Sequence, residues 1–259
     1  KDFVKSVKIL KENNIKSVIA TTRILKPKEY HNFRLIERAN PDGLLIRNLG
    51  ALNYFNHSDF ELFGDFSLNV TNSKTFNYLI SKGLKSICVS YDMNNEQLLG
   101  LTDFVDSEKI EITTHQYMPE FHMEHCVFAA FLSNGQSFRD CGKPCEKHHV
   151  QLKDMYGNMH EIKADQECRN TMYSAKSMSA ATLVPKWQEL GISTYRFEAL
   201  HETGLELVDK LDTYLNLIAN KFTTSEVFEK IGKLESYGVT TGQLLNTKAH
   251  KDRKKNVSK

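Results

Sequence analysis

The chain is 259 residues long, 40% hydrophobic and 25% charged, and its 34 Lys and Arg against 32 Asp and Glu leave a formal charge of +2. That length and composition belong to an ordinary globular chain, neither fibrous nor disordered, and the near-zero charge argues against wholesale polyanion binding. No apolar run reaches the ~18 residues of a membrane-spanning helix, so no membrane partner is expected.

In chain order, Phe3, Val7, Ile9 and Leu10 have helical spacing, and Ser17 to Thr22 reads as a short β-branched strand. Pro27 opens a second helical stretch carrying Tyr30, Phe33, Leu35 and Ile36, and Asp42 to Arg47 follows as a buried strand. Next come Glu61 to Asn69 (strand), Ser73 to Lys82 (helix, with Ser73 as N-cap and Gly83 as stop) and Lys85 to Tyr91 (strand). Asn95 to Gly100 begins another helix, and Ile110 to Tyr117 is a further strand. Near-continuous apolar strands separated by helices predict parallel pairing buried on both faces. About five such units recur at roughly 20–25 residues, which favours an α/β fold of the (β/α) TIM-barrel type over a doubly wound sheet. No glycine-rich phosphate fingerprint follows the first strand.

The pattern breaks after Tyr117. Regularity returns with Ser179 to Leu190 (helix), Ile192 to Glu198 (strand) and Glu202 to Asn220, a long helix whose Leu205, Val208, Leu211, Leu215 and Ile218 share one face and are expected in the core. Four regions result: β/α barrel units over 1–120, a cysteine-rich segment over 121–176, a closing β/α unit over 177–222, and an extension with a basic tail over 223–259. The tail from Lys248 to Lys259 reads as a solvated end rather than an RNA-binding arm. Lys1 is not an initiator Met and no charged-then-apolar leader follows, so the sequence reads as a fragment or processed product whose barrel is incomplete at the N-terminus. An odd count of 5 cysteines, with no secretory signal, points to a reducing interior, cytoplasm or organelle, rather than a disulfide scaffold.

Four of those cysteines are concentrated as Cys126-x14-Cys141-x3-Cys145-x22-Cys168, while Cys88 sits in an apolar strand as a core residue. Four thiolates with one tight pair suit a 4Fe-4S cluster or a zinc ion, or they stay unliganded. Gly142 lets the backbone between Cys141 and Cys145 turn, and Pro144 stiffens it.

Several stretches carry a resemblance. Met123-Glu124-His125-Cys126-Val127-Phe128, Phe131-Leu132-Ser133, Cys141-Gly142-Lys143-Pro144-Cys145 and Asp165-Gln166-Glu167-Cys168-Arg169 look like the cysteine region of peptidase family U32. Asp42-Gly43-Leu44 through Asn48-Leu49-Gly50-Ala51, Gly64 to Asn69, and Tyr195-Arg196-Phe197-Glu198 resemble barrel segments of the same family. The resemblance implies a barrel with a 4Fe-4S cluster on Cys126, Cys141, Cys145 and Cys168. One departure is visible: the family signature places two thiols in its first stretch, whereas this chain keeps only Cys126 there, after Glu124-His125, and Cys145 stands in for the missing one.

Two activities follow from that likeness. Some members were named collagenase-like peptidases. Others resemble oxygen-independent hydroxylases of tRNA or rRNA bases or of a quinone ring, with prephenate implied as oxygen source in some. The sequence offers no His-Glu-x-x-His, Gly-x-Ser-x-Gly or Asp-Thr-Gly, and a ligated thiolate is not a free nucleophile. A hydroxylase acting on RNA or a small ring substrate is therefore the favoured reading; peptidase and non-catalytic binding module are the alternatives. Arg47, a candidate clamp for carboxylate or phosphate, and Asn48, Asn69 and Asn72 follow predicted strands, where a barrel builds its pocket. His115 and His122 flank the last strand before the cysteines as candidate proton donors, or as ordinary hydrogen-bonded histidines. Arg196 and Glu198 alternate on one strand as candidate substrate contacts, or pair with each other, and Arg169 is placed to tune the cluster through its charge.

Overall fold

The computed structural model describes residues 2–135, 137–165, 167–235 and 237–245, so the basic tail lies outside the described residues. The elements run α1 (Phe3–Glu12), β1 (Val18–Ala20), α2 (His31–Ala39), β2 (Gly43–Ile46), α3 (Leu49–Phe55), β3 (Glu61–Gly64), α4 (Ser73–Ser81), β4 (Leu84–Cys88) and α5 (Asn95–Thr102). They continue with β5 (Ile110–Met123), α6 (Val127–Leu132), β6 (Val150–Lys153), β7 (Met159–Ala164), β8 (Asn170–Ser179), α7 (Val184–Glu189), β9 (Thr194–Phe197), α8 (Gly204–Ile218), α9 (Thr224–Leu234) and β10 (Val239–Thr240). Two compact units form. One takes the chain up to Thr113 with Pro185–Arg196 and the stretch from Gly242; the other takes Thr114–Val184 and Phe197–Thr241. Among the described residues no helix is long and apolar enough to cross a membrane.

In the first unit β1 to β5 pair in sequence order and all in parallel. Each parallel step needs a crossover, and α2 to α5 supply them. Leu44, Ile46, Ile87 and Ile110 are fully buried, as strands covered on both faces require. Gly43 has no room for a side chain, because a Cβ would stand 2.8 Å from the Phe63 ring. Outside β2 the rings of Phe33, Tyr54 and Phe55 pack within 4.8–5.1 Å of one another.

The second unit is built differently. There β5, β8, β7 and β6 form an antiparallel ladder in that order, and β10 adds to β8 in parallel. The mixed α/β class is as expected and the first unit has the repeated units of a β/α barrel, but the complete barrel is not seen: among the described residues β1 pairs with β2 alone. Beyond Tyr117, where the sequence pattern breaks, β5 runs on to Met123 and β6, β7 and β8 follow. The core of this stretch is made by Phe128, Ile162 and Met172, and β8 also buries the polar Asn170, Thr171, Ser177 and Ser179.

Local differences have identifiable causes. The strand expected over Glu61 to Asn69 ends at Gly64, and a 3₁₀ turn over Phe66–Leu68 closes on Asn69 at φ 53°. Asn72, not Ser73, caps α4, accepting from the Thr75 N–H at 3.0 Å. Ser179 still belongs to β8, and a 3₁₀ turn over Ala181–Leu183 precedes the short α7. The largest correction concerns α8. Leu205, Val208, Leu211 and Leu215 are exposed, Leu205 by 88%, whereas Lys210, Thr213, Tyr214 and Leu217 face inward. The ammonium of Lys210 is buried against carboxylates, and its pairing turns the helix away from its leucine stripe.

Two truncations on α8 separate its faces. Leu217→Ala is expected to cost about 2–5 kcal/mol in denaturant unfolding, whereas Leu205→Ala stays within about 0.5 kcal/mol of the parent. Equal costs would return the leucine stripe to the core.

Candidate functional site

The cysteine group lies wholly in the second unit. Cys126 caps α6, its Sγ accepting from the Ala129 N–H at 3.5 Å. Cys145 sits in a 3₁₀ turn over Pro144–Glu146, entered through Gly142 at φ 67° and Lys143 at φ 52°. Cys168 takes the left-handed backbone region itself, at φ 60°, in the turn between β7 and β8. For a non-glycine residue this conformation is costly and needs support. Asp165 supplies it, accepting from the Glu167 N–H at 2.9 Å and the Arg169 N–H at 2.8 Å. Fully buried Asn170 then joins two loops, donating to the Cys168 carbonyl at 3.2 Å and accepting from the Val127 N–H at 2.8 Å. Cys126 and Cys145 both pack against the Phe128–Ile162–Met172 core.

All four thiols are free and half-buried. Burial first, then the neighbouring thiols, push Cys145 and Cys168 above the ordinary cysteine range, with Cys126 and Cys141 acting on both. Among the described residues no three of these sulfurs lie within 4.8 Å of one another. A tetrahedral zinc, with Zn–S of about 2.3 Å, draws its sulfurs to about 3.8 Å. A cubane, with one thiolate on each of four corner irons, holds them wider apart. Four thiols with one tight pair are a donor set for a cluster or for zinc. Arg169, 1% exposed, reaches Glu124 at 2.7 Å and sets a cation next to Cys168 in the chain. Cys88 stands apart as a core thiol whose pKa burial raises to about 12.

In the first unit the ends of the parallel strands carry an ion cluster. Asp65, just after β3, is buried and accepts from Arg47 Nε at 3.0 Å and from Arg196 Nη1 at 2.6 Å. Arg196 also pairs with Glu111 on β5. Arg47 and Arg196 are thus brought together around Asp65, which sequence reasoning missed although it directly follows Gly64. The asparagines have backbone duties: Asn48 caps α3 through the Ala51 N–H at 2.8 Å and donates to the Thr22 carbonyl at 2.8 Å, while Asn72 caps α4 and Asn69 closes a turn. Those duties alone account for asparagine at the three positions.

A second polar cluster fills the interior of the second unit. His115 on β5, 0% exposed, stacks on Phe197 at 4.6 Å and meets the Tyr214 hydroxyl through Nδ1 at 3.2 Å. Its Nε2 faces Glu235 Oε1 at 3.5 Å and Glu202 Oε1 at 3.7 Å. Lys210 Nζ meets the same carboxylates at 2.9 and 3.1 Å, and Glu206 at 3.1 Å. Burial would lower the Lys210 pKa, but Glu235 and its companions more than reverse that and hold the amine charged. Tyr117 donates to the other oxygen of Glu235. Glu202, Lys210, Tyr214 and Glu235 carry no motif, so only the fold reveals them. His122 lies elsewhere, its Nδ1 against Thr171 Oγ1 at 2.8 Å, and the Glu198 N–H donates to the His115 carbonyl at 2.9 Å.

The sequence matches the family model of peptidase family U32 over residues 1–254. The chain belongs to peptidase family U32. Among solved structures it is similar to the U32 peptidase Mk0906, with 14% identity and a TM-score of 0.36 over 45% of this chain and 52% of that one. This U32 chain thus spans about half the length of that relative. It is also similar to a protein described as the sporulation-specific glycosylase ydhD of Bacillus subtilis, with 9% identity and a TM-score of 0.32 over 74% of this chain and 81% of that one. No curated protein matches it.

The Asp65 cluster gives this U32 chain a pH signature. Burial raises the Asp65 carboxyl, yet Arg47 and Arg196 pull it further down, to a net value below the ordinary 3.8. A depressed folded pKa contributes stability that is present above the unfolded value and is lost as pH falls through the folded one. Unfolding free energies measured by denaturant are therefore expected to drop below about pH 4, and Asp65→Asn is expected to flatten that drop while costing about 3–5 kcal/mol at neutral pH. An unchanged acid limb in the variant counts against the pairing.

Proposed function

We propose that this chain is an iron–sulfur member of its family that hydroxylates a ring substrate, an RNA base in the first instance, without molecular oxygen. The observation that carries the reading is the gathering of Cys126, Cys141, Cys145 and Cys168 in one unit, all free, with Cys145 and Cys168 each in electrostatic reach of the other three. These four would hold the 4Fe-4S cluster. When bound, the cluster supplies one-electron transfer or a Lewis-acidic iron.

The rest falls to the polypeptide. Asn170 keeps the Cys168 turn and the start of α6 in fixed relation, which presets the thiols before metal arrives. Arg169, buried and next to Cys168 in the chain, is anchored on Glu124 at 2.7 Å and is the cation proposed to offset thiolate charge. Replacing a ring C–H by C–OH is a two-electron oxidation. With an organic hydroxyl donor such as prephenate the balance is ring C–H plus donor C–OH giving ring C–OH plus donor C–H. The guanidinium of Arg47, 29% exposed in its side chain and oriented by Asp65, is the group suited to a carboxylate or phosphate of donor or substrate. A cysteine peptidase has less support. Cys88 is buried with its thiol pushed up to about 12, the opposite of an activated nucleophile, and the other four thiols are the proposed ligands.

Protein prepared without oxygen is expected to be brown and to carry about four iron and four sulfide per chain, with Cys145→Ser losing most of both. RNA from cells lacking the gene is expected to lose one oxygen from one base by mass spectrometry. A colourless protein with zinc on its thiolates overturns the cluster, and unchanged RNA beside an intact cluster overturns the substrate.

A further inference from the structure

We infer that His115, Glu202 and Glu235 form a second metal site, for one divalent ion of the zinc class, independent of the four cysteines. Its three ligand atoms, the His115 Nε2 and one oxygen of each carboxylate, lie within 4.8 Å of one another and all three residues are buried.

The separations select a metal over hydrogen bonds. Charge-assisted N–H···O contacts close to about 2.7–2.9 Å, but His115 Nε2 stands 3.5 Å from Glu235 Oε1 and 3.7 Å from Glu202 Oε1. Two ligands of one tetrahedral zinc, at metal distances of about 2.0–2.2 Å, stand about 3.4 Å apart. The observed spacing is close to that value.

The tautomer agrees. The Tyr214 hydroxyl donates to Ser179 Oγ at 2.6 Å and so accepts from His115 Nδ1–H at 3.2 Å. Nε2 is then the nitrogen that carries the lone pair. It is fully buried and aimed at two carboxylate oxygens, at 3.5 and 3.7 Å, with no closer hydrogen-bond partner among the described residues. A lone pair facing two anions is repelled unless a cation stands between them. Fixing the ligating tautomer from the far ring nitrogen is what a second-shell partner does.

Charge completes the case. Glu202, Glu206 and Glu235 bring three negative charges to Lys210, which brings one positive charge. Within the buried set one negative charge remains, and half-exposed Glu206 at the rim makes two, so a cation is favoured beside a neutral imidazole. Each carboxylate oxygen has lone pairs for both the ammonium and the metal, so Lys210 need not leave. One histidine nitrogen and two carboxylates with no thiolate suit zinc and leave further positions for water or a ligand.

Zinc is the probe, added to the full chain prepared without oxygen, with iron and sulfide assayed separately so that loss of the cluster is seen on its own. Zinc-edge X-ray absorption is expected to show one bound equivalent with nitrogen and oxygen neighbours at about 2.0–2.1 Å and no sulfur near 2.3 Å. Glu235→Gln is expected to weaken zinc at least 100-fold, and Tyr214→Phe, which removes only the second-shell partner, about 10–100-fold. In the unmutated protein, nitrogen-15 spectra are expected to show zinc shifting the His115 Nε2 resonance, whatever the variants do to folding. Zinc found only among sulfur neighbours, a Glu235→Gln protein that binds as the parent does, or an unmoved His115 resonance overturns the site.

Discussion

One buried ammonium governs the second unit. Lys210 is 0% exposed, and an ion taken out of water costs several kcal/mol unless opposite charge is held close. Glu202, just ahead of α8, and Glu235, just after α9, must therefore stay where they are, and each fixes the end of a helix. Thr223 and Glu226 close the start of α9 with a reciprocal cap, so the helix that delivers Glu235 is pinned at both ends. His115 is then held by what the ammonium has gathered. Phe197 lies flat against its ring and Tyr214 takes its Nδ1, so its Nε2 can point only at the two carboxylates.

The same constraint explains where a pattern-based reading fails. Leu205, Val208, Leu211 and Leu215 repeat with the period of a buried stripe, and periodicity cannot distinguish that stripe from an outward one. What decides is Lys210, which on its own reads as a solvent-facing charge. Its partners are local to nothing: Glu202 is eight residues earlier, while Glu235 and His115 lie on other elements. Long-range charge pairing leaves no trace in a window of sequence. By contrast the parallel units of the first half were legible, because Leu44, Ile46 and Ile87 obey a rule that needs only neighbours: strands buried on both faces are apolar throughout.

Polar strand-end residues were legible in position and less so in role. Arg47 and Arg196 fall where a barrel gathers its polar groups, and the structure does bring them together, but around Asp65 rather than around Glu198. Asn48, Asn69 and Asn72 follow strands because each strand ends in a cap or a tight turn, for which asparagine is the ordinary choice. The cysteines were the reverse case. Their spacing carried family likeness and donor count, while the devices that hold them, the left-handed Cys168 supported by Asp165 and the bridging side chain of Asn170, are matters of backbone geometry.

The two donor sets of the second unit sort metals by chemistry. Four sulfurs suit iron–sulfur or other soft centres, zinc among them, whereas one imidazole with two carboxylates suits a divalent ion with nitrogen and oxygen ligands. They are also kept apart along one strand. His115 lies near the start of β5 and Met123 ends it shortly before Cys126. At about 3.3 Å per residue those eight steps span roughly 25 Å. His115, stacked on Phe197 and bonded to Tyr214, ties β5 to α8, and the cysteine loops extend from the far end of the same strand.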